Sequence, residues 1–317
     1  MRVGADRLRP AWTTLPAALR ERIVAGIGGR FISDSPAHGG FSAAYAGVVT
    51  TTTGRAFVKA AARDAHADSL HFLREEIRTV AQLPPTVGPR VHVSIDDTDG
   101  AALVIDAIDG HHPGQPWTDD DLHAIAESLH VLSTTRAPEG MPRAEDEMVP
   151  GFTRWREIAA EPHLVEGLPR ELQDRMPQLL HLDERFADAV RGDVIVHDDV
   201  RADNILVRAG RAHLLDWPHA RRGAPWIDLP CLLPSVEAGG GPACEQAWPL
   251  FEEHGAPAQA DLLPVISAFA SYLWYGQGQP EIPQLPGLRA FQREQAVPAL
   301  RWLAALLSQD QDRAASR

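Results

Sequence analysis

Leu15, Leu19, Ile23 and Ile27 recur every four residues and predict an amphipathic helix from about Leu15 to Gly26, stopped by Gly28-Gly29. Thr13 or Thr14 can cap it, with Pro16 in its first turn. Phe31-Ile32-Ser33 then opens a strand, and Ala43 to Thr50 and Arg55 to Ala61 predict two more across a turn ending at Gly54. Leu70, Leu73, Ile77, Val80 and Leu83 give a second amphipathic helix, Asp68 to Leu83, which Pro84-Pro85 ends. Val91 to Ile95 and Ala102 to Ile105 read as a hairpin around Asp96 to Gly100. After Pro116 the pattern turns helical. Thr118 caps Asp119-Asp120-Asp121, which lead a helix to about Thr135 with acids at the positive end of its dipole. Further helical segments fit Phe152 to Ala160, Pro169 to Leu180, Asp183 to Arg191, Trp226 to Pro234, Cys244 to Glu253, Asp261 to Trp274 and Leu288 to Leu307. The fold class is therefore α+β: a sheet-rich first part of about 105 residues, then a larger helical part.

One stretch of the helical part breaks the rule. Val194-Ile195-Val196, Ile205-Leu206-Val207 and His213-Leu214-Leu215 are short apolar runs, separated by the polar turn His197 to Asn204 and by Gly210. The last run stops at Asp216-Trp217-Pro218. Three short strands with Asp199, Asn204 and Asp216 at their ends hold a carboxylate, an amide oxygen and a second carboxylate at fixed points. That set suits the handling of a hydroxyl beside a divalent metal. Taken alone, it equally fits a polar meander with solvated loop acids.

Composition narrows the partners. The chain has 317 residues, 44% apolar and 23% charged, as in an ordinary globular protein with ample core. A net charge of −13 argues against a nucleic-acid partner and is compatible with a cationic small molecule. Two cysteines, Cys231 and Cys244, fit neither a disulfide framework nor a four-ligand zinc site. The first ten residues lack an apolar signal-peptide core, and no apolar run reaches the roughly 18 residues of a membrane span, so the expectation is a cytoplasmic protein without a membrane partner. Oligomeric state is not encoded in any of these features.

The basic residues carry a sharper signal. Of 30 Lys and Arg residues only Lys59 is a lysine, and it lies in the apolar strand Ala56-Phe57-Val58-Lys59-Ala60. A compact ammonium on a flexible stem reaches a phosphate where a planar guanidinium is too large. Gly39-Gly40-Phe41-Ser42 is a glycine turn between strands, able to place backbone N–H groups over a phosphate chain, although most Gly-Gly pairs are simply turns.

In chain order the parts are a glycine turn, a strand lysine, a helix acid seventeen residues later at Glu76, His197-x-Asp199-x-Arg201-x-Asp203-Asn204, and Asp216-Trp217-Pro218. This order resembles the aminoglycoside phosphotransferase-like family of small-molecule kinases. The resemblance runs from about Trp12 to Pro234 and rests mainly on the catalytic-loop and Asp-Trp-Pro motifs. It implies a bilobal protein-kinase-like fold: residues 1–105 as a small sheet-rich nucleotide-binding lobe, 106–110 as a hinge, and 111–317 as a larger helical catalytic and substrate-binding lobe.

The resemblance also implies roles. Asp199 would accept or orient the substrate hydroxyl, and Arg201 would neutralise the transferring phosphoryl. Asn204 and Asp216 would hold Mg²⁺. Lys59 would reach the ATP phosphates and be held by Glu76, with Glu75 the alternative. Gly39, Gly40, Phe41 and Ser42 would cover the phosphates, and the connector Asp106 to Ile108 would offer backbone groups to adenine. Asp228 would buttress the catalytic loop, and His197 would orient it. Where the family has glycine after this histidine, the chain has Asp198, which adds a negative charge if it points inward. The expected activity is ATP- and Mg²⁺-dependent transfer to a hydroxyl of a small molecule. An aminoglycoside-like acceptor leads, with macrolides, choline-like amines, amino-alcohols and sugars as alternatives. A pseudokinase-like binding module without turnover is the other reading. A protein kinase is disfavoured, because only eleven residues separate Asp216 from Asp228.

Overall fold

The computed structural model describes residues 9–37, 44–114, 116–252, 257, 259–283 and 285–315. The chain divides into two compact units. The first runs through His111 and takes in Leu214–His219 and Pro283–Pro286; the second holds the rest.

Unit 1 contains α1 (Ala17–Ile27), β1 (Phe31–Pro36), β2 (Tyr45–Thr51), β3 (Arg55–Ala62), α2 (Ala67–Val80), β4 (Val91–Asp96) and β5 (Gly100–Asp106). The strands form one antiparallel sheet in the order β1-β2-β3-β5-β4. Side chains alternate across it. Ala56, Val58 and Ala60 of β3, with Ala102 and Val104 of β5, face a core shared with Leu19 and Ile23 of α1 and with Trp12. Lys59, one residue out of that phase, is set to the other face opposite Leu103. There α2 packs through its buried stripe Leu70, Leu73, Glu76 and Val80. The β4–β5 turn is closed by an Asx turn at Asp97 and by Gly100 at φ 143°, where an added Cβ would lie 2.2 Å from the Ala61 carbonyl oxygen.

The threonine cap expected for α1 does not form. Trp12–Thr14 is a 3₁₀ turn, Thr14 Oγ1 donates to Ala11 O at 2.7 Å, and Pro16 takes the cap position without a side-chain bond. The hydroxyl finds a local carbonyl first, and proline needs no N–H partner.

Unit 2 contains α3 (Asp119–Ser133), α4 (Ala144–Phe152), α5 (Trp155–Ala160), α6 (Pro162–Glu166), α7 (Arg170–Gln173) and α8 (Met176–Ala189). After these come β6 (Val194–Val196), β7 (Ile205–Arg208), β8 (Arg211–Leu214, ending at the unit boundary) and β9 (Arg221–Gly223). The chain continues with α9 (Asp228–Ala238), α10 (Cys244–Glu252), α11 (Gln259–Gln277) and α12 (Leu288–Ala315). Thr118 caps α3 by accepting from Asp121 N at 3.1 Å. The expected break between Leu180 and Asp183 is absent, because Leu179, Leu182, Phe186 and Ala189 form one buried stripe along α8. The helix α4 and the strand β9, which pairs antiparallel with β6, were not anticipated. Pro150 inside α4 and the basic Arg221-Arg222 of β9 hide both from a periodicity reading. Cys231 and Cys244 are free thiols, and no helix among the described residues is long and apolar enough to cross a membrane.

Candidate active site

Within unit 1, β3 and α2 bring a lysine and a carboxylate together in the interior. Both oxygens of Glu76 accept from Lys59 Nζ at 2.7 Å, and Asp216 Oδ1 accepts from the same nitrogen at 2.8 Å. Trp217 N donates to Glu76 Oε1 at 3.3 Å, so one buried carboxylate ties a strand to the returning segment Leu214–His219. Burial disfavours the ammonium, but the carboxylates of Asp216 and Glu76 outweigh it and raise the Lys59 pKa. Burial also raises Glu76 against the pull of Lys59. Glu75, one residue earlier, turns away and pairs with Arg78 at 2.8 Å. Asp216 adopts φ 67°, a left-handed conformation that costs an L-residue free energy.

The connector after β5 has no regular structure. Asp106 donates its N–H to Arg90 O at 3.1 Å and accepts from His92 Nε2 at 2.7 Å, Ile108 is half-buried, and Asp109 pairs with Arg55. Gly39, Gly40, Phe41 and Ser42 lie outside the described residues.

Within unit 2 the loop after β6 is held from beneath. Asp228, at the start of α9, accepts from His197 N at 2.8 Å and from Asp198 N at 2.9 Å, one oxygen each. Burial pushes the Asp228 carboxyl up to about 6 despite these two donors. Asp199 is fixed by its neighbours: Asn204 Nδ2 donates to its Oδ2 at 2.7 Å and to its backbone O at 2.9 Å, while Arg201 lies 3.3 Å from its Oδ1. Arg201 also donates to Asp203 Oδ1 at 2.7 Å and stacks over the Phe291 ring at 5.4 Å. A guanidinium pinned by two acids and a ring is a preorganised positive charge rather than a mobile one.

Asp198 is half-buried at φ 62°. Burial raises its carboxyl well above the usual range. Arg221 opposes that shift, and Asp228 and Asp199 add to it.

Asp203 was given no role from the sequence beyond its place in the motif, and Phe291 and Tyr272 were not singled out. The last stacks on Phe152 at 4.8 Å, and its phenol feels the charges of Asp199 and Arg201. Phe269, Tyr272 and Tyr275, spaced three apart in the same helix, were the signal available for it.

Residues 35–263, more than half of the chain, match the model of the phosphotransferase enzyme family. Among curated proteins, no sequence matches. Similar solved structures include the choline kinase LicA of Streptococcus pneumoniae, with TM-score 0.54, 16% identity, and coverage of 90% of this chain and 98% of that one. A choline/ethanolamine kinase family protein of Mesorhizobium loti has TM-score 0.55 and 16% identity over 90% and 91%. A Haemophilus somnus protein provisionally described as a fructosamine-3-kinase has TM-score 0.54 and 14% identity over 91% and 95%. These likenesses give the fold, which is the mixed helix and sheet architecture of kinase-like proteins. The family match gives the class: the chain belongs to the phosphotransferase enzyme family and is an enzyme acting on small-molecule hydroxyl groups.

Proposed function

We propose that the enzyme transfers the γ-phosphoryl group of ATP to a hydroxyl of a small molecule, with an aminoglycoside-like, amine-bearing acceptor as the leading candidate. The observation that carries this reading is the pair of oxygens that Glu76 turns on the only lysine of the chain. An ammonium so fixed is aimed at phosphate oxygens, and unit 1 is the nucleotide-binding part, with the connector Asp106 to Ile108 as hinge and adenine contact.

In unit 2, Asp199 accepts the proton of the acceptor hydroxyl as its oxygen bonds to the γ-phosphorus. The bond from that phosphorus to the β-phosphate oxygen breaks, ADP leaves, and the proton passes from Asp199 to solvent. Such transfer is mostly positioning and charge stabilisation, so a carboxylate of ordinary basicity suffices. Asn204 and Arg201 hold Asp199 in one orientation, and Arg201 offers positive charge to the phosphoryl oxygens. Asp216 and Asn204 present a carboxylate and an amide carbonyl, the hard oxygen donors that Mg²⁺ prefers. The resemblance assigns each as a ligand, and the ion would neutralise phosphate charge. Gly39 to Ser42 are assigned to the phosphates on the same ground. A net charge of −13 favours a cationic acceptor. The cytoplasm, where ATP is abundant, is the proposed location.

The test is purified protein with Mg-ATP and a panel of aminoglycosides, macrolides, choline-like amines and sugars, followed by product mass. Phosphorylation of at least one acceptor, abolished in Asp199→Ala, is the expected result. ATP binding that is lost in Lys59→Ala, with no product from any acceptor, would instead support a binding module without turnover.

A further inference from the structure

The three N–H bonds of the Lys59 ammonium each have an acceptor within the protein. Glu76 supplies two oxygens at 2.7 Å, and Asp216 Oδ1 is the third at 2.8 Å. A phosphate oxygen can therefore reach this nitrogen only by displacing one of them. The two carboxylates are not equally displaceable. Glu76 is 4% exposed, holds Lys59 through both oxygens and also accepts from Trp217 N, so taking the cation from it would strand a buried charge. Asp216 is 40% exposed and holds Lys59 through one oxygen. The backbone beside it is anchored separately: Trp217 N donates to Glu76, and the buried indole donates from Nε1 to Leu214 O at 3.2 Å. Asp216 can thus leave Lys59 by side-chain rotation while its backbone stays in place.

Once displaced, Asp216 is a carboxylate beside the phosphate that displaced it. Two adjacent anions repel, and a divalent cation shared between them turns the repulsion into attraction. We propose that Asp216 is a specificity-determining residue for the nucleotide: it holds the third donor of Lys59 against free nucleotide and yields it to the nucleotide–Mg²⁺ complex, for which it becomes an oxygen ligand. Metal and nucleotide then raise each other's affinity by the same factor. The inference rests on the reading of Lys59 as the phosphate contact and Asp216 as a metal ligand; what it adds is that one contact, Lys59 to Asp216, couples the two.

The experiment measures ADP binding by isothermal titration calorimetry, with EDTA and with saturating Mg²⁺, in the wild type, Asp216→Asn and Glu75→Gln. No turnover is involved. Asparagine tolerates the φ of 67° and keeps an oxygen for Lys59, but a neutral acceptor holds an ammonium more weakly. Asp216→Asn is expected to bind metal-free ADP about tenfold tighter than the wild type. Mg²⁺ should tighten its binding no more than about twofold, against about tenfold or more in the wild type. Glu75→Gln removes a carboxylate of the helix that carries Glu76, one that pairs with Arg78, and should leave metal-free ADP binding within about twofold. Asp216→Gly, which meets the same φ without strain, gives the same comparison if the asparagine variant does not fold. A wild type that binds ADP equally with and without Mg²⁺ would overturn the inference, as would an Asp216→Asn variant that binds metal-free ADP no tighter. Equal tightening in Glu75→Gln would also overturn it, since net charge would then explain the gain. In each of these cases nucleotide binding, and with it the reading of unit 1, would stand. No ADP binding in either condition would remove that reading as well.

Discussion

Lys59 Nζ stands 2.7 Å from both carboxylate oxygens of Glu76, with side chains only 17% and 4% exposed. Lys59→Met would leave Glu76 buried without its cation, and breaking such a pair typically costs about 3–5 kcal/mol. Glu76 already has a raised pKa from burial, and without Lys59 it rises further. The folded state then holds the proton more tightly than the unfolded one, so stability falls as pH rises above the ordinary carboxyl value of 4.5. Thermal denaturation should therefore show a larger loss at pH 8 than at pH 5. An equal loss at both would mean that Glu76 finds another cation.

Asp198→Gly is expected to stabilise the protein. A residue at φ 62° pays a steric cost that glycine does not, on the order of 1 kcal/mol. Its carboxyl is also raised, first by burial and then by Asp228 and Asp199. The charged form is thus disfavoured in the fold, and the gain from removing it grows as pH climbs above 3.8. Chemical denaturation at pH 8 should show the larger increase, and a decrease there would mean that the carboxylate is held by something worth more than its strain.

Asp228→Ala would remove the acceptor of two backbone donors, His197 N and Asp198 N, at about 1–3 kcal/mol each. The loop carrying Asp199 would lose its support, so kcat should fall with stability. In the wild type the carboxyl titrates near 6 in the fold and near 3.8 when unfolded, so its contribution to stability declines between those values as pH rises. Asp228→Asn should remove that slope from a stability–pH curve.

Asp183 offers a fourth test, away from the loop. Its Oδ2 accepts from Trp155 N at 3.1 Å, while its buried Oδ1 has no hydrogen-bond partner among the described residues. Burial is the main cause that lifts its pKa to about 7; Glu157 adds to the lift, and the Trp155 N–H, Arg154 and Arg156 oppose it. Stability should fall as pH rises from about 4 to about 7. Asp183→Asn keeps an acceptor for Trp155 and carries no charge, so its melting temperature at pH 8 should exceed that of the wild type.

Much of unit 1 was legible because its signals are local. Period-2 alternation in β3 and a helical stripe in α2 fix which faces carry Lys59 and Glu76. The residues of the loop after β6 could be picked out because their types and spacing match a motif. Elements that depend on distant partners were not visible. The strand β9 exists because Val194 to Val196 pair with it, not because Arg221-Arg222-Gly223 has strand character.

The lone lysine has a practical consequence. Apart from the amino terminus, an acylating reagent has one primary amine to find in this chain, and that amine is largely enclosed by Glu76 and Asp216. Modification of Lys59 can therefore be read at a single internal peptide, separate from the amino-terminal one. Its rate, with and without nucleotide, would report on one atom of the protein rather than on an average over its surface.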